Sequence, residues 1–456
     1  MVLAPNSLQA RDVAYVLHGH TDLKHHERDG PSIIARGDGV YVIDDEGRRY
    51  LDGMAGLWCA SLGFSEQRLA DAAARQFAEL PYYHSHGNRS HPRAIDLAER
   101  LIAMSPVSMS KVFFSNSGSE SNDTAIKLTW YYNNAHGRPE KKKIIGLDQG
   151  YHGVTICSAS LSGSPAMHQD FDLPLPGFLH TDCPHFFRRQ YENDTEEEFA
   201  TRCAERLEQL ILAEGAETVA AFIAEPVMGA GGAIVPPRTY FEKVQKVLRR
   251  HDILFIVDEV ISGFGRTGNM FGTETFDLKP DMITLAKGLS AGYQPIAALL
   301  VSEAIYNAAV AQSEKIGVFG HGFTNSAHPV CAAVALEALN IYEERDIVGH
   351  VRRVGPRLQQ ALRRFTDHPL VGEVRGLGLI AGIELVEDKA TRTPFPAARG
   401  IGAVFSRHAE ENELLLRVRG DVIPFCPPLV IQEDEIDLLV QRFEAALDST
   451  WSTLQT

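Results

Sequence analysis

The stretch 253–292 constrains this chain more than any other. It opens with an unbroken apolar run, Ile253-Leu-Phe-Ile-Val257, that ends in an acid pair, Asp258-Glu259. A glycine-rich segment follows, Gly263-Phe-Gly-Arg-Thr-Gly268. A second apolar run, Met282-Ile-Thr-Leu-Ala286, then ends at Lys287 with Gly288 beside it. Short apolar runs bounded by turn residues read as strands buried in a parallel sheet. Side chains at the carboxyl ends of such strands face the ligand crevice of an open α/β sheet. Asp258 and Lys287 are therefore expected to look into one cavity from two strand ends.

The rest of the chain supports an α/β reading. Apolar runs at 112–114, 143–147, 219–224 and 296–301 read as further strands. Helical spacing at 67–80, 92–104, 197–213 and 240–250 lies between some of them, and alternation of this kind means a largely parallel sheet. Residues 39–44 and 48–52 read as a hairpin turning at Gly47. After Pro329, helices over 330–345 and 349–365 lead into a tail of strands and a helix over 433–447. The expected division is an N-terminal segment 1–66 belonging to a small lobe, a large lobe 67–328, and a C-terminal part 329–456 of the small lobe. That gives a large, mostly parallel α/β/α sheet domain and a smaller α+β domain built from both termini.

Composition removes several classes of function. A formal charge of −15 disfavours nucleic acid and anionic membranes, which need clustered Lys and Arg. No apolar run is long enough to span a bilayer, and the N-terminal residues show no basic region followed by an apolar stretch, so neither a membrane anchor nor a secretory signal is expected. The six cysteines are scattered without a C-x-x-C pair, which suits free thiols in the cytoplasm and argues against zinc or a disulfide framework. Histidines at 18, 20, 25 and 26 match no metal spacing and have no acid fixed nearby, so solvated or hydrogen-bonded rings are expected and no metal site.

Several residues carry chemistry. Ser117-Gly118-Ser119 stands where a strand ends and a helix begins, and free N–H groups at a helix start make an anion site; Ser117-x-x-Glu120 also fits a capping box. The pattern Gly263-x-Gly-x-x-Gly268 matches a dinucleotide fingerprint. That fingerprint needs a helix to open within the glycines, and 269–277 shows no helical period before Pro280, so a tight loop beside the cavity is expected instead. Lys287, desolvated at a strand end, has its neutral amine favoured, and a neutral amine attacks aldehydes. Asp258 is placed to hold a proton on a pyridinium nitrogen, and Tyr151-His152-Gly153 offers a flat ring for stacking. A lysine and an acid so placed suit pyridoxal phosphate.

Together these segments resemble the class III, fold type I, pyridoxal-phosphate-dependent aminotransferases, close to the amine–pyruvate or ω-transaminase group. The segments that carry the likeness are Phe114-Ser-Asn-Ser-Gly-Ser-Glu120, Tyr151-His-Gly153, Ala224-Glu-Pro-Val-Met-Gly-Ala-Gly-Gly232, the run 257–268, Ala286-Lys-Gly288 and His321-Gly-Phe-Thr324. The resemblance implies that Lys287 is the cofactor's covalent anchor and proton carrier, and that Asp258 binds its ring nitrogen. Tyr151 and Val260 would cover the two ring faces, with His152 beside them. Ser117, Gly118 and Ser119 would hold the phosphate, and Glu225 would orient the hydroxyl side. Thr324 would complete the phosphate site from a second subunit, making a homodimer with shared active sites, with a tetramer left open.

For the substrates, a small amine and a 2-oxo acid, the resemblance implies an arginine that swings in to pair with a carboxylate. Arg417 is the matching position and Arg419 its rival; the fork of arginine suits a carboxylate. Trp58, His20, His86 and Tyr151 would line the substrate side. Relatives that favour aryl amines carry paired aromatics where this chain has Tyr83-His84-Ser-His-Gly87, and His20 replaces an aromatic near the entrance. That leaves room for aliphatic amines, putrescine-type diamines, taurine or β-alanine. A mutase or decarboxylase on the same scaffold is the rival chemistry.

Overall fold

The computed structural model describes residues 3–455. Its centre is a seven-stranded sheet in the order Lys111–Ser115, Ala297–Val301, Met282–Leu285, Leu254–Asp258, Val219–Ala224, Lys143–Leu147, Phe178–Thr181. All neighbours pair in parallel except Ala297–Val301, which runs antiparallel to both of its neighbours. Period-two alternation of the apolar runs splits the sheet's side chains between two cores. Ile145, Phe222, Phe255 and Val257 pack under the helices Glu196–Glu214 and Tyr240–Arg250. Ile144, Ile223, Ile256 and Leu299 pack with Ala125 and Leu128 of the helix Gly118–Ala135.

The two ends of the chain meet in a second body. Ile34–Asp38, Tyr41–Asp44 and Arg49–Asp52 form an antiparallel sheet. The short strand Leu414–Leu415 joins its edge in parallel, with Leu414 opposite Leu51. A separate sheet unites Val371–Leu377, Ile380–Leu385 and Val422–Phe425. The backbone links Gly53 N–H to Leu415 O at 3.0 Å and Cys426 N–H to Gly53 O at 2.7 Å. Residues just past Leu415 are thereby set beside those just past Gly53, and this brings Arg417 to Trp58.

Sequence periodicity misses several elements. The region 1–36, polar on paper, contains the helices Leu8–Tyr15 and Leu23–Asp29, each opened by a side-chain cap from Ser7 or Asp22. The strand Ile34–Asp38 is exposed along its length and so shows no apolar alternation. In the same region the expectation of histidines without an acid partner is corrected: the fold brings Asp12 against His18 and His26, and His26 is buried. The segment 263–268 forms turns, with a four-residue helix only at Gly272–Thr275, and its Arg266 guanidinium donates to the carbonyls of Leu379 and Pro427. Arg266 thus ties this segment to the C-terminal part of the chain, and none of residues 263–268 lines the cavity beside which the loop was expected.

Candidate active site

A cavity of about 630 Å³ opens at the carboxyl ends of the central parallel strands, a volume suited to a cofactor-sized ligand. Asp258 closes the strand Leu254–Asp258 and is buried in the wall. Its Oδ2 accepts from His152 Nδ1 at 2.8 Å and Asn122 Nδ2 at 2.9 Å, and its Oδ1 from Val260 N–H at 3.1 Å. Burial opposes the charge, but the His152 ring and the two amide donors outweigh it and hold the carboxyl below its ordinary pKa. A carboxylate accepts only, so Nδ1 of His152 carries the proton.

Lys287 begins a 3-10 turn directly after the strand Met282–Leu285 and Ala286. Its φ of 43° lies in the left-handed region, a costly backbone state for lysine. Its Nζ lies 5.4 Å from the centre of the Trp58 ring. Burial lowers the pKa of its amine, partly offset by Cys59, Asp258 and Glu225.

On the opposite wall, Ser117 caps the helix Gly118–Ala135, its Oγ accepting from Glu120 N–H at 3.2 Å. The Gly118 and Ser119 N–H groups are thus left as the open donors of the helix start. A Cβ on Gly118 would stand 3.0 Å from Val260 Cγ2, so the glycine lets that side chain close on the helix end. Ser119 Oγ accepts from Val154 N–H at 3.1 Å and keeps its own proton to donate. Glu225 is buried where the strand Val219–Ala224 ends, accepting from Tyr151 N–H at 3.1 Å and Gly229 N–H at 2.9 Å. Burial pushes its pKa up to about 7.

Trp58 is 6% exposed and has a φ of 58°. The Arg417 guanidinium stands 5.5 Å from its ring centre, so one indole faces both that cation and the Lys287 amine. Arg419 is tied down: it donates to Ala230 O at 2.6 Å and Ser164 Oγ at 3.3 Å. Arg417 makes no hydrogen bond or ion pair among the described residues. His20 and Tyr151 also line the cavity.

A helix start with open N–H donors, a strand-end carboxylate and a desolvated lysine around one cavity fit pyridoxal phosphate. The class III aminotransferase family model matches residues 23–447. The chain is a class III aminotransferase. It is 54% identical over 421 residues to gamma-aminobutyrate transaminase 1, mitochondrial, of Oryza sativa subsp. indica, covering 92% of this chain and 82% of that protein. With gamma aminobutyrate transaminase 3, chloroplastic, of Solanum lycopersicum it shares 55% identity over 92% and 81% of the two chains. The omega transaminase from Pseudomonas jessenii in complex with PMP superposes with a TM-score of 0.97 at 54% identity, over 98% of this chain and 99% of that one. The aminotransferase therefore has the fold type I architecture and uses pyridoxal phosphate.

Two expected site residues of the aminotransferase do not line this cavity. His86 and Thr324 are exposed and neighbour one another: His86 Nε2 lies 3.1 Å from Phe323 O, and Tyr82 Oη donates to Thr324 O at 3.0 Å. Asn122 was missed by sequence reasoning. It is buried in a helix and bridges His152 O at 2.7 Å to Asp258. A buried asparagine four residues past Gly118 is the signal that was there to find. No helix among the described residues is long and apolar enough to cross a membrane.

Proposed function

We propose that this aminotransferase moves an amino group from a primary amine or ω-amino acid to pyruvate or a related 2-oxo acid by a ping-pong mechanism, in a homodimer with shared sites. The observation that carries the reading is Arg417, resting on Trp58 without a hydrogen-bonding partner while Arg419 is held by backbone. An arginine so placed is ready for a carboxylate, and can leave the indole wall to an uncharged group. The relatives named for gamma-aminobutyrate, a molecule with an amine at one end and a carboxylate at the other, support the same choice.

When bound, pyridoxal phosphate supplies an electron sink for negative charge beside the substrate nitrogen. The chain's residues set the conditions around it. Gly118 and Ser119 give N–H and hydroxyl donors to the phosphate. Asp258, ionised because three donors hold it, keeps a proton on the ring nitrogen. Lys287 is the anchor and moves the proton at its Nζ, a task its burial eases by favouring the neutral amine. Glu225 orients the hydroxyl side, Tyr151 and Val260 cover the ring faces, and His152 holds Asp258 in place. The exposed Thr324 and His86 support a second copy whose cavity they would complete. Six unpaired thiols support a reducing compartment, read from the sequence as the cytoplasm.

The test is a steady-state panel of gamma-aminobutyrate, β-alanine, taurine, putrescine and 1-phenylethylamine against pyruvate and 2-oxoglutarate, for the wild type and Arg417→Ala. The variant should raise KM for the acidic donors and for pyruvate by about 10–100-fold, a loss of about 1.5–3 kcal/mol from a charged hydrogen bond, and spare putrescine. Equal losses for charged and uncharged donors would remove Arg417 from this role.

A further inference from the structure

Asp12, His18 and His26 meet in the N-terminal segment, outside the catalytic cavity. Asp12 lies on the helix Leu8–Tyr15, His26 on the helix Leu23–Asp29, and His18 in the turn between them. Asp12 Oδ1 stands 2.7 Å from His18 Nε2 and 3.3 Å from His26 Nε2. One ligand atom from each residue lies within 4.8 Å of the others, and the two rings are 4.3 Å apart between centroids. The His26 side chain is 8% exposed, yet its Nε2 makes no hydrogen bond. A buried nitrogen that meets a carboxylate at 3.3 Å without a hydrogen bond to it suits a ligand shared by the two. Among the described residues the ion pairs of Asp12 are with these two imidazoles and with no guanidinium or ammonium group.

A second cluster of similar composition, His185, Glu373 and Glu384, behaves differently. Arg375 pairs with both of its carboxylates and Arg188 with Glu384, so its negative charge is already met. Of these two clusters, the N-terminal one combines a carboxylate that meets only imidazoles among the described residues with a buried nitrogen that makes no hydrogen bond.

We propose that Asp12, His18 and His26 bind a divalent transition-metal cation of the zinc type, with water completing the site. Imidazole nitrogen with carboxylate oxygen suits zinc better than magnesium or calcium. Ligand atoms about 2.1 Å from a tetrahedral zinc lie about 3.4 Å apart. The His26 pair already has that spacing, and the His18 pair reaches it by opening about 0.7 Å. The ion would tie the two N-terminal helices together across the turn that holds His20, a left-handed residue with a φ of 50° that lines the catalytic cavity. Metal binding thus fixes one wall of the substrate entrance, independently of which amine reacts.

The holoenzyme, stripped with a chelator and dialysed, is titrated with zinc chloride by calorimetry and separately with cobalt chloride by visible absorption. One zinc per chain is expected, with the cobalt bands of a low-coordinate nitrogen/oxygen site and a rise in thermal midpoint. All three responses should vanish in Asp12→Asn and His26→Gln and persist in His25→Gln. His18→Gln, at a side chain 30% exposed, keeps the test valid should the buried His26 variant fail to fold, and must also lose them. Absence of stoichiometric zinc in the wild type, or equal binding by every variant, overturns the proposal.

Discussion

Asp258 and Glu259 leave the same strand end and ionise differently. Successive side chains of a strand point to opposite faces, so Asp258 lines the cavity while Glu259 turns away and accepts from Gly272 N–H at 3.0 Å and Thr273 Oγ1 at 2.7 Å. Burial pushes the Glu259 pKa up to about 7 from 4.5, as it does for Glu225. Each therefore holds a proton in the fold that the unfolded chain releases above pH 4.5. Their stabilising contribution is complete below that pH and lost as pH rises through 7. The difference in thermal midpoint between wild type and Glu259→Gln should shrink or reverse from pH 5.5 to pH 8; a difference that grows with pH contradicts this assignment. Lys287→Ala should remove the visible absorbance of the bound cofactor and lower transfer by about 10²–10⁴-fold or more, in the range of general acid–base contributions. The acid and the lysine were legible because each follows an apolar run. The choice between Arg417 and Arg419 was not, since it depends on Ala230 and Ser164, far off in sequence.

The helix Gly118–Ala135 opens at the cavity with two free N–H donors, and its start is packed closely. Gly153 has a φ of 131°, and a Cβ there would lie 2.4 Å from Ser119 Oγ and 2.5 Å from Ser158 Oγ. Gly153→Ala should displace Ser119 from the helix start, destabilise the fold by about 1–3 kcal/mol as overpacking does, and let the cofactor dissociate on dialysis. Unchanged retention of the cofactor in a folded variant would separate Ser119 from phosphate binding. Elements of this kind were readable where burial imposes a period, as in the strands Lys143–Leu147 and Val219–Ala224, whose bounds match the apolar runs. The helices Leu8–Tyr15 and Leu23–Asp29 were not readable, being short, polar and defined by their caps.

For the whole molecule, the pairing of Leu414 with Leu51 decides one wall of the cavity, because it carries residues separated by most of the chain to one place. The glycine pattern at 263–268 shows the limit of reading letters alone: it matches a nucleotide fingerprint, while the buried Arg266 inside it ties the two lobes together. The place of His86 and Thr324 outside their own chain's cavity bears on assembly. Co-expressed Lys287→Ala and Thr324→Arg chains should recover activity that neither has alone, since a mixed dimer would hold one cavity with both wild-type residues. No recovery in an isolated mixed dimer would mean that each chain works with its own residues. The chemistry itself is tested by a half-reaction: excess β-alanine mixed with the wild-type holoenzyme and no oxo acid. The predicted result is conversion of the cofactor to its pyridoxamine form with one equivalent of carbonyl product per site, reversed by pyruvate. Carbon dioxide release with the cofactor left in its aldehyde form would contradict amino transfer.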